Sequence, residues 1–184
     1  MNASYTNAPR TASTLHLLTA SSRRLLIGLS LALLASTCLA STVDKLLDGR
    51  VVGVADGDTI TVLDQATQPH KIRLAGIDAP EKHQAFGQRA KQNLSDLVYG
   101  KNVSVVWRKK DRYGRIIGKV MVGPMDACLT QLSQGMAWHY KQYEKDQPAA
   151  ERRSYAAAEQ QARQRELGLW QEEQPTAPWD FRRR

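Results

Sequence analysis

The chain has 184 residues, which is enough for one domain with a hydrophobic core and too short for two domains of ordinary size. Apolar residues make up 42% of it and no long region lacks them, which excludes a largely disordered protein. The 26 basic and 18 acidic side chains give a formal net charge of +8. This excess suits nucleic acid, anionic lipid or acidic polysaccharide, and does not distinguish among them.

Residues 1–40 have the order of a secretory signal peptide. Arg23 and Arg24 form a positive step, an apolar run follows from Leu25 to Ala35, and the segment closes on Ala40. The run is shorter than the roughly 20 residues of a membrane-spanning helix, so we expect cleavage after Ala40. The protein is therefore predicted to be exported, to the periplasm or beyond, without stable membrane insertion. The paired arginines also resemble a twin-arginine signal, and the export route stays open.

The rest of the chain is predicted to divide into a linker over 41–48, a folded domain over 49–170 and a flexible tail over 171–184. Two prolines and three terminal arginines in the tail favour a solubilising end over a phosphate-binding one. Cys128 is the only cysteine after residue 40, which rules out an intramolecular disulfide. Its place beside the apolar face of a predicted helix indicates an inert core thiol.

Three strands are predicted at the start of the domain. The β-rich segment 50–63 is interrupted at Asp56-Gly57-Asp58, where we expect a turn with the glycine at positive φ. A second turn over 65–69 leads into a strand over 71–75. This meander is expected to project Asp58 beside the strand that carries Arg73 and Asp78.

The remaining elements follow from apolar spacing. Residues 86–98, 125–136 and 149–166 repeat at the helical period, whereas 103–107 and 115–122 alternate as strands around a turn at 111–114. Five short strands with three helices predict an α+β fold built on a small closed barrel.

Three segments carry side chains suited to phosphodiester hydrolysis: VADGDTITV at 54–62, RLAGIDAPE at 73–81 and DRYGR at 111–115. Asp58 and Asp78, on adjacent strands, suit a hard divalent cation that prefers oxygen ligands. Arg73 and Arg115 can each give forked hydrogen bonds to a phosphate. Glu81 is left to orient or deprotonate the attacking water. Together the segments predict a metal-dependent phosphodiesterase site.

Each of these residues also has a structural interpretation. Aspartates beside a turn glycine usually accept from backbone amides, and Arg73 with Asp78 is also a plausible ordinary ion pair. Glu81 equally suits the first turn of a helix, where an acid interacts with the helix dipole. Taken singly, these interpretations are favoured; the combination of three segments favours the catalytic one.

The motifs DGDT at 56–59, RLAGIDAPE and DRYGR, in this order and spacing, resemble the staphylococcal nuclease (thermonuclease) family over about Gly49 to Trp170. The resemblance implies an oligonucleotide-binding (OB) fold, a five-stranded β-barrel with three α-helices. It also implies cleavage of DNA and RNA with Ca²⁺ as cofactor, leaving 3′-phosphates. By resemblance, the metal ligands are Asp58, Asp78 and the backbone carbonyl of Ala79, the phosphate arginines are Arg73 and Arg115, and the catalytic glutamate is Glu81. Ala79 replaces the threonine of the best-known member and retains the carbonyl.

Aromatic rings and imidazoles give weaker signals. The candidates for stacking on bases are Tyr113, Tyr140 and Tyr143, for which core and surface roles stay open. Surface or packing roles are expected for three scattered histidines without paired cysteines, His70, His83 and His139.

The leading hypothesis is an exported, calcium-dependent nuclease that acts as a monomer on DNA and RNA, with single strands favoured. The alternative is a catalytically silent module of the same fold that binds single-stranded nucleic acid or a protein. A basic domain attached to an anionic surface polymer would also explain the charge, but it leaves the converging carboxylates without a role.

Overall fold

Strands dominate the first two thirds of the domain, and helices the last third. The computed structural model describes residues 44–183. In chain order the elements are β1 (Lys45–Val54), β2 (Thr59–Asp64), β3 (Pro69–Leu74), β4 (Ile77–Asp78), α1 (Gly87–Val98), β5 (Asn102–Lys110), β6 (Ile116–Val122), β7 (Met125–Asp126), α2 (Ala127–Ser133), β8 (Trp138–His139), α3 (Ala149–Gln164) and α4 (Pro178–Phe181). Short 3₁₀ helices cover Lys141–Asp146 and Gly168–Gln171.

The five long strands close into a barrel. Antiparallel pairing gives the order β3-β2-β1-β5-β6, and β3 then pairs in parallel with β6, where Ile72 faces Ile116 and Leu74 faces Gly118. Gly118 also packs closely against β5, because a Cβ there would lie 2.4 Å from a methyl carbon of Val105. The predicted α+β fold with a closed five-stranded barrel is confirmed.

The core fills the barrel and the space beneath the helices. Buried side chains on alternate positions of β2 and β3, Ile60, Val62, Ile72 and Leu74, have at most 1% of their surface exposed. Helix α1 adds Ala90, Leu94 and Val98, all fully buried on one face, as their helical spacing predicts. Burial of each large aliphatic side chain contributes about 1.5–3 kcal/mol, so this core holds the strand ends that carry the polar motifs.

The turn between β1 and β2 is held by close packing. Gly57 does not adopt a positive φ, contrary to the expectation from the sequence. A Cβ there would lie 2.6 Å from the Cβ of Ala79 and 2.7 Å from the Cβ of Ala90, so the glycine is required for close approach to α1. The fully buried Gln131 of α2 donates to the Gly57 carbonyl at 2.7 Å and fixes the turn from the other side.

Both ends of the predicted domain need correction. The proposed linker over 41–48 overlaps β1, because Lys45 to Arg50 pair with β5; residues 41–43 and the predicted signal peptide over 1–40 lie outside the described residues. The tail predicted to be flexible over 171–184 is instead folded up to residue 183, with Ala177 and Pro178 buried. The sequence reading failed there because the tail is held by tertiary contacts rather than by its own helical propensity.

Within residues 44–183, no helix is long and apolar enough to span a membrane.

Candidate active site

Two buried carboxylates form the floor of the site. Asp58 precedes β2 and is 6% exposed, and Asp78 ends β4 and is 1% exposed. The two meet at one nitrogen, since Nη2 of Arg73 lies 3.2 Å from Oδ2 of Asp58 and 2.7 Å from Oδ1 of Asp78. The sequence analysis expected these side chains to converge, and they do.

Each floor residue is fixed by further hydrogen bonds. The backbone N–H of Ala79 donates to Oδ2 of Asp58 at 2.7 Å, and the hydroxyl of Thr59 donates to Oδ1 at 3.1 Å. Arg73 reaches the acids from β3, and its Nη1 donates to the carbonyls of Leu74 and Ile77 at 3.1 and 2.9 Å. The floor is therefore rigid before any ligand arrives.

Burial raises the pKa of Asp58 to about 7, because desolvation disfavours its ionised form. Arg73 and the Ala79 amide act in the opposite direction and lower this pKa, whereas the neighbouring Asp56 and Asp78 raise it. The carboxylate is thus held at a position where additional positive charge would favour its ionised form.

The donor set fits a hard divalent cation. Asp58 and Asp78 bring carboxylate oxygens together from two different turns of the chain. The backbone of Ala79, which directly follows Asp78, lies beside them and bonds to Asp58. No group of three or more His, Cys, Asp or Glu residues with metal-binding geometry occurs in the part of the chain that the structure describes. A cation here would therefore need backbone carbonyl or water ligands beside the two aspartates, as calcium and magnesium commonly accept.

Glu81 stands above the floor at the start of the loop that leads to α1. Its side chain is 36% exposed, and its Oε1 accepts from Nη1 of Arg182 at 2.6 Å. Arg182 also contacts Asp78, with Nη2 lying 2.8 Å from Oδ2. A single guanidinium from the C-terminus thus bridges a floor carboxylate and Glu81.

The segment that delivers Arg182 is residues 176–183, here called the strap. The Thr176 carbonyl accepts from the side-chain amide of Gln84 at 2.5 Å. The ring of Trp179 lies 5.6 Å from those of Trp138 and Tyr140, measured between centroids. These contacts anchor the first half of the strap, just before Arg182.

The DRYGR turn is built differently, because it is bonded mainly to itself. Nε of Arg115 donates to Oδ2 of Asp111 at 2.7 Å, and the Arg115 guanidinium lies 5.7 Å from the ring centroid of Tyr113. Tyr113 is 70% exposed. Arg115 directly precedes β6. The first residue of that strand, Ile116, pairs with Ile72 of β3, the neighbour of Arg73, so the turn extends from the seam between β3 and β6.

The other aromatic and histidine candidates divide by burial. Tyr140 is half-buried with its ring 5.5 Å from that of Tyr143, which is 54% exposed. His139 is buried and its Nε2 lies 3.2 Å from the Gln147 side-chain oxygen. His70 pairs with Asp64 and His83 is exposed, so the histidines do form separate surface or packing contacts as predicted.

Cleft size does not by itself identify the site. A cleft of about 600 Å³ lies beside Arg50, Asp64 and Ser104, and no residue of the three motifs lines it. A smaller one of about 380 Å³ is bounded by Tyr140 and Trp179, next to the strap. Convergent charge, rather than volume, marks the candidate active site.

Sequence reasoning missed three residues that shape this site: Gln131, Trp179 and Arg182. Gln131 lies on the apolar side of α2. A polar residue among core positions of a predicted helix is the sequence signal that could have pointed to its buried role. Trp179 and Arg182 lie in a tail whose four-residue helix is too short to produce an apolar period. The proline before the tryptophan, at the first helical position, is the one local sign of structure there.

Sequence comparison with known proteins identifies related nucleases. A family model described as "Staphylococcal nuclease homologue" matches residues 71–172, more than half of the chain. The chain is 44% identical over 123 residues to an uncharacterized endonuclease of Haemophilus influenzae, covering 67% of this chain and 66% of that protein. It is 41% identical over 126 residues to the micrococcal nuclease of Shigella flexneri, covering 63% and 70%.

A plant relative shows the same domain inside a longer protein. The staphylococcal-like nuclease CAN1 of Arabidopsis thaliana is 37% identical over 113 residues, which are 61% of this chain and 33% of that protein. The chain thus spans about two thirds of the length of the bacterial relatives and one third of the plant protein. Fold, site and relatives together define a hydrolase of the nuclease class. The chain belongs to the staphylococcal nuclease family.

Proposed function

We propose that the protein is an exported, calcium-dependent nuclease that cleaves DNA and RNA, favours single strands, works as a monomer and leaves 3′-phosphate ends. The observation that carries the proposal is the convergence of Asp58 and Asp78 on Arg73. When ionised, Asp58, Asp78 and Glu81 carry three negative charges against the two arginines Arg73 and Arg182, and a divalent cation would neutralise the excess next to a phosphate.

In this proposal Asp58, Asp78 and the backbone carbonyl of Ala79 hold calcium. The bound ion would polarise a phosphoryl oxygen and stabilise the negative charge that develops on it. The oxygen donors support this choice, and a bound cation would lower the pKa of Asp58, which burial raises to about 7.

Glu81 orients or deprotonates the water that attacks phosphorus. Its partial exposure supports this role, because the carboxylate can reach a water that enters from solvent. A new bond forms between the water oxygen and phosphorus, and the bond from phosphorus to the 5′-oxygen breaks. The released strands then end in a 3′-phosphate and a 5′-hydroxyl.

Arg73 and Arg115 donate to the phosphoryl oxygens as negative charge develops. Arg73 is already fixed beside the acids, whereas Arg115 would exchange its contact with Asp111 for the phosphate. Tyr113 and Tyr140 offer faces on which bases can stack, and stacking without base-specific hydrogen bonds suits a nuclease of broad sequence tolerance.

The first test incubates the purified protein with single-stranded DNA, duplex DNA and RNA, in calcium and in excess chelator. We expect degradation in calcium alone, fastest on single strands, with ends that a polymerase extends only after phosphatase treatment. Asp58→Asn should be inactive, and Asp96→Asn, an exposed acid on α1, should behave as wild type. Normal strand binding without cleavage by the wild type would establish the silent-module alternative instead.

Export is tested separately, by expressing the full chain in a bacterium and fractionating the cells. We expect the processed protein outside the cytoplasm with Ser41 at its N-terminus. Deletion of residues 2–40 should leave it in the cytoplasm. Recovery of an unprocessed chain from the cytoplasm would contradict the predicted signal peptide.

A further inference from the structure

Arg182 takes up carboxylate oxygens that the proposed chemistry needs. Its Nη2 lies 2.8 Å from Oδ2 of Asp78, its Nη1 lies 3.3 Å from Oδ1 of the same residue, and Nη1 also lies 2.6 Å from Oε1 of Glu81. One guanidinium thus forms a forked contact with a proposed metal ligand and also binds the proposed water-orienting acid.

The strap brings this guanidinium to the site by specific contacts. Ala177 is 6% exposed and Pro178 is buried. The indole of Trp179 packs edge-on against Trp138, and the strap's first carbonyl is bonded to Gln84. Because the strap is anchored over residues 176–179, Arg182 has a high effective concentration at the carboxylates without needing strong contacts of its own.

The two arginines of the site differ in how easily each can leave it. Arg73 is 15% exposed in its side chain and donates to two backbone carbonyls as well as to the acids. Arg182 is 43% exposed and, among the described residues, its side chain contacts only Asp78 and Glu81. Arg73 is part of the floor, whereas Arg182 is a detachable cation.

We propose that the strap is an internal competitor of the catalytic cation: Arg182 occupies Asp78 and Glu81, and a divalent ion binds by displacing it. This inference rests on the metal site of the proposed function. It follows that the enzyme is held inactive at low calcium, because Asp78 is engaged and Glu81 is paired with a cation instead of a water. Calcium binding displaces Arg182 from both carboxylates in one step, so that Asp78 holds the ion and Glu81 is available to a water.

Calcium affinity, measured by isothermal titration of the purified full chain, tests the proposal without using activity. We expect Arg182→Gln to lower the dissociation constant for calcium about tenfold, because the ion no longer has to displace a partly exposed arginine from its carboxylates. Arg183→Gln is the matched control, because it removes the same charge one residue later, from an arginine whose ion-pair partner among the described residues is Asp180, at 3.6 Å. The control should change the affinity by less than about twofold, through long-range charge alone.

A second variant separates occupancy from charge. Trp179→Ala removes the strap's aromatic anchor and leaves every charge in place, so it should also tighten calcium binding, by about threefold since the strap keeps its other contacts. Hydrogen exchange of the wild type should show faster exchange over 176–183 after calcium is added, and no such change over the α1 helix.

The outcomes discriminate between this inference and the proposed function. Equal calcium affinities for Arg182→Gln and Arg183→Gln, with unchanged exchange in the strap, would overturn the inference and leave the proposed function standing. Absence of calcium binding in the wild type and in both arginine variants would overturn the two together.

Discussion

The floor and the rim of the active site are made in different ways. The floor, Asp58, Arg73 and Asp78, is buried and joined through several hydrogen bonds to backbone and to itself. The rim, Glu81, Arg115 and the tyrosines, is more exposed. Within the described part of the chain, each of its charged residues has one ion-pair partner: Arg115 pairs with Asp111 in the same turn, and Glu81 pairs with Arg182 of the strap. In the proposed function, floor residues would serve stability and chemistry at once, whereas rim residues would exchange their partners for a substrate.

The largest effect is expected at the centre of the floor. Arg73→Gln would leave the buried Asp58 without its cation, whereas Asp78 would keep Arg182, at a cost of about 3 kcal/mol in the free energy of unfolding. Urea denaturation in the absence of calcium measures it. Arg50→Gln removes an exposed arginine that donates to the Gly100 carbonyl and should cost less than about 0.5 kcal/mol. Equal unfolding midpoints for the two variants would show that the floor is not structural.

At the rim, Glu81→Gln should reduce kcat by about 10²–10⁴-fold, the range that general acid-base groups contribute. The unfolding midpoint should change little, because the side chain is 36% exposed and its partner Arg182 keeps Asp78. Glu173→Gln, at an exposed position outside the motifs, is the control. A sharp fall in stability with modest loss of turnover would move Glu81 from the rim to the structural class.

Arg115→Ala should lower kcat by about 10²–10³-fold, through loss of a donor to the developing charge. Its present partner, Asp111, also accepts from the backbone amides of Tyr113 and Arg115, so the turn should persist without the guanidinium. Thermal unfolding monitored by circular dichroism checks this. If binding of a single strand weakens while kcat holds, Arg115 contributes ground-state affinity only.

The smallest effect is expected in the core, at Cys128. Burial raises the pKa of this thiol far above its usual range, so it stays protonated and unreactive at neutral and mildly alkaline pH. A thiol reagent at pH 8 should leave Cys128 unlabelled in the native protein and modify it after unfolding in urea. Rapid labelling of the native state would show that α2 opens readily.

The sequence predicted the floor because its residues lie on local, strongly patterned elements. The alternation around Ile60 and Ile72 and the glycine between two aspartates determine strands and turn, and the pairing of β2 with β3 then places Thr59 opposite Arg73. The prediction that Gly57 is needed for a positive φ was wrong, because the glycine is required by close packing against α1 instead. Such contacts leave no local trace.

The strap could not be predicted for a related reason. Its helix has four residues, and its attachment depends on aromatic rings and carboxylates that are distant in the chain, such as Trp138 and Asp78. The start of β1 was missed because the sequence from Lys45 to Arg50 does not alternate apolar and polar residues, although the burial of these positions does alternate in the strand. In both cases long-range pairing, not propensity, decides the structure.

The parallel seam between β3 and β6 has a consequence for how this molecule folds. Ile72 and Ile116 must find each other across an intervening helix and a long strand, and parallel pairs need such crossovers. Closing so long a loop costs entropy before any contact returns it, which slows the search for the native state. On a ribosome or behind a translocon, the β1–β3 meander can assemble early, but its open edge stays unprotected until the second half of the chain emerges.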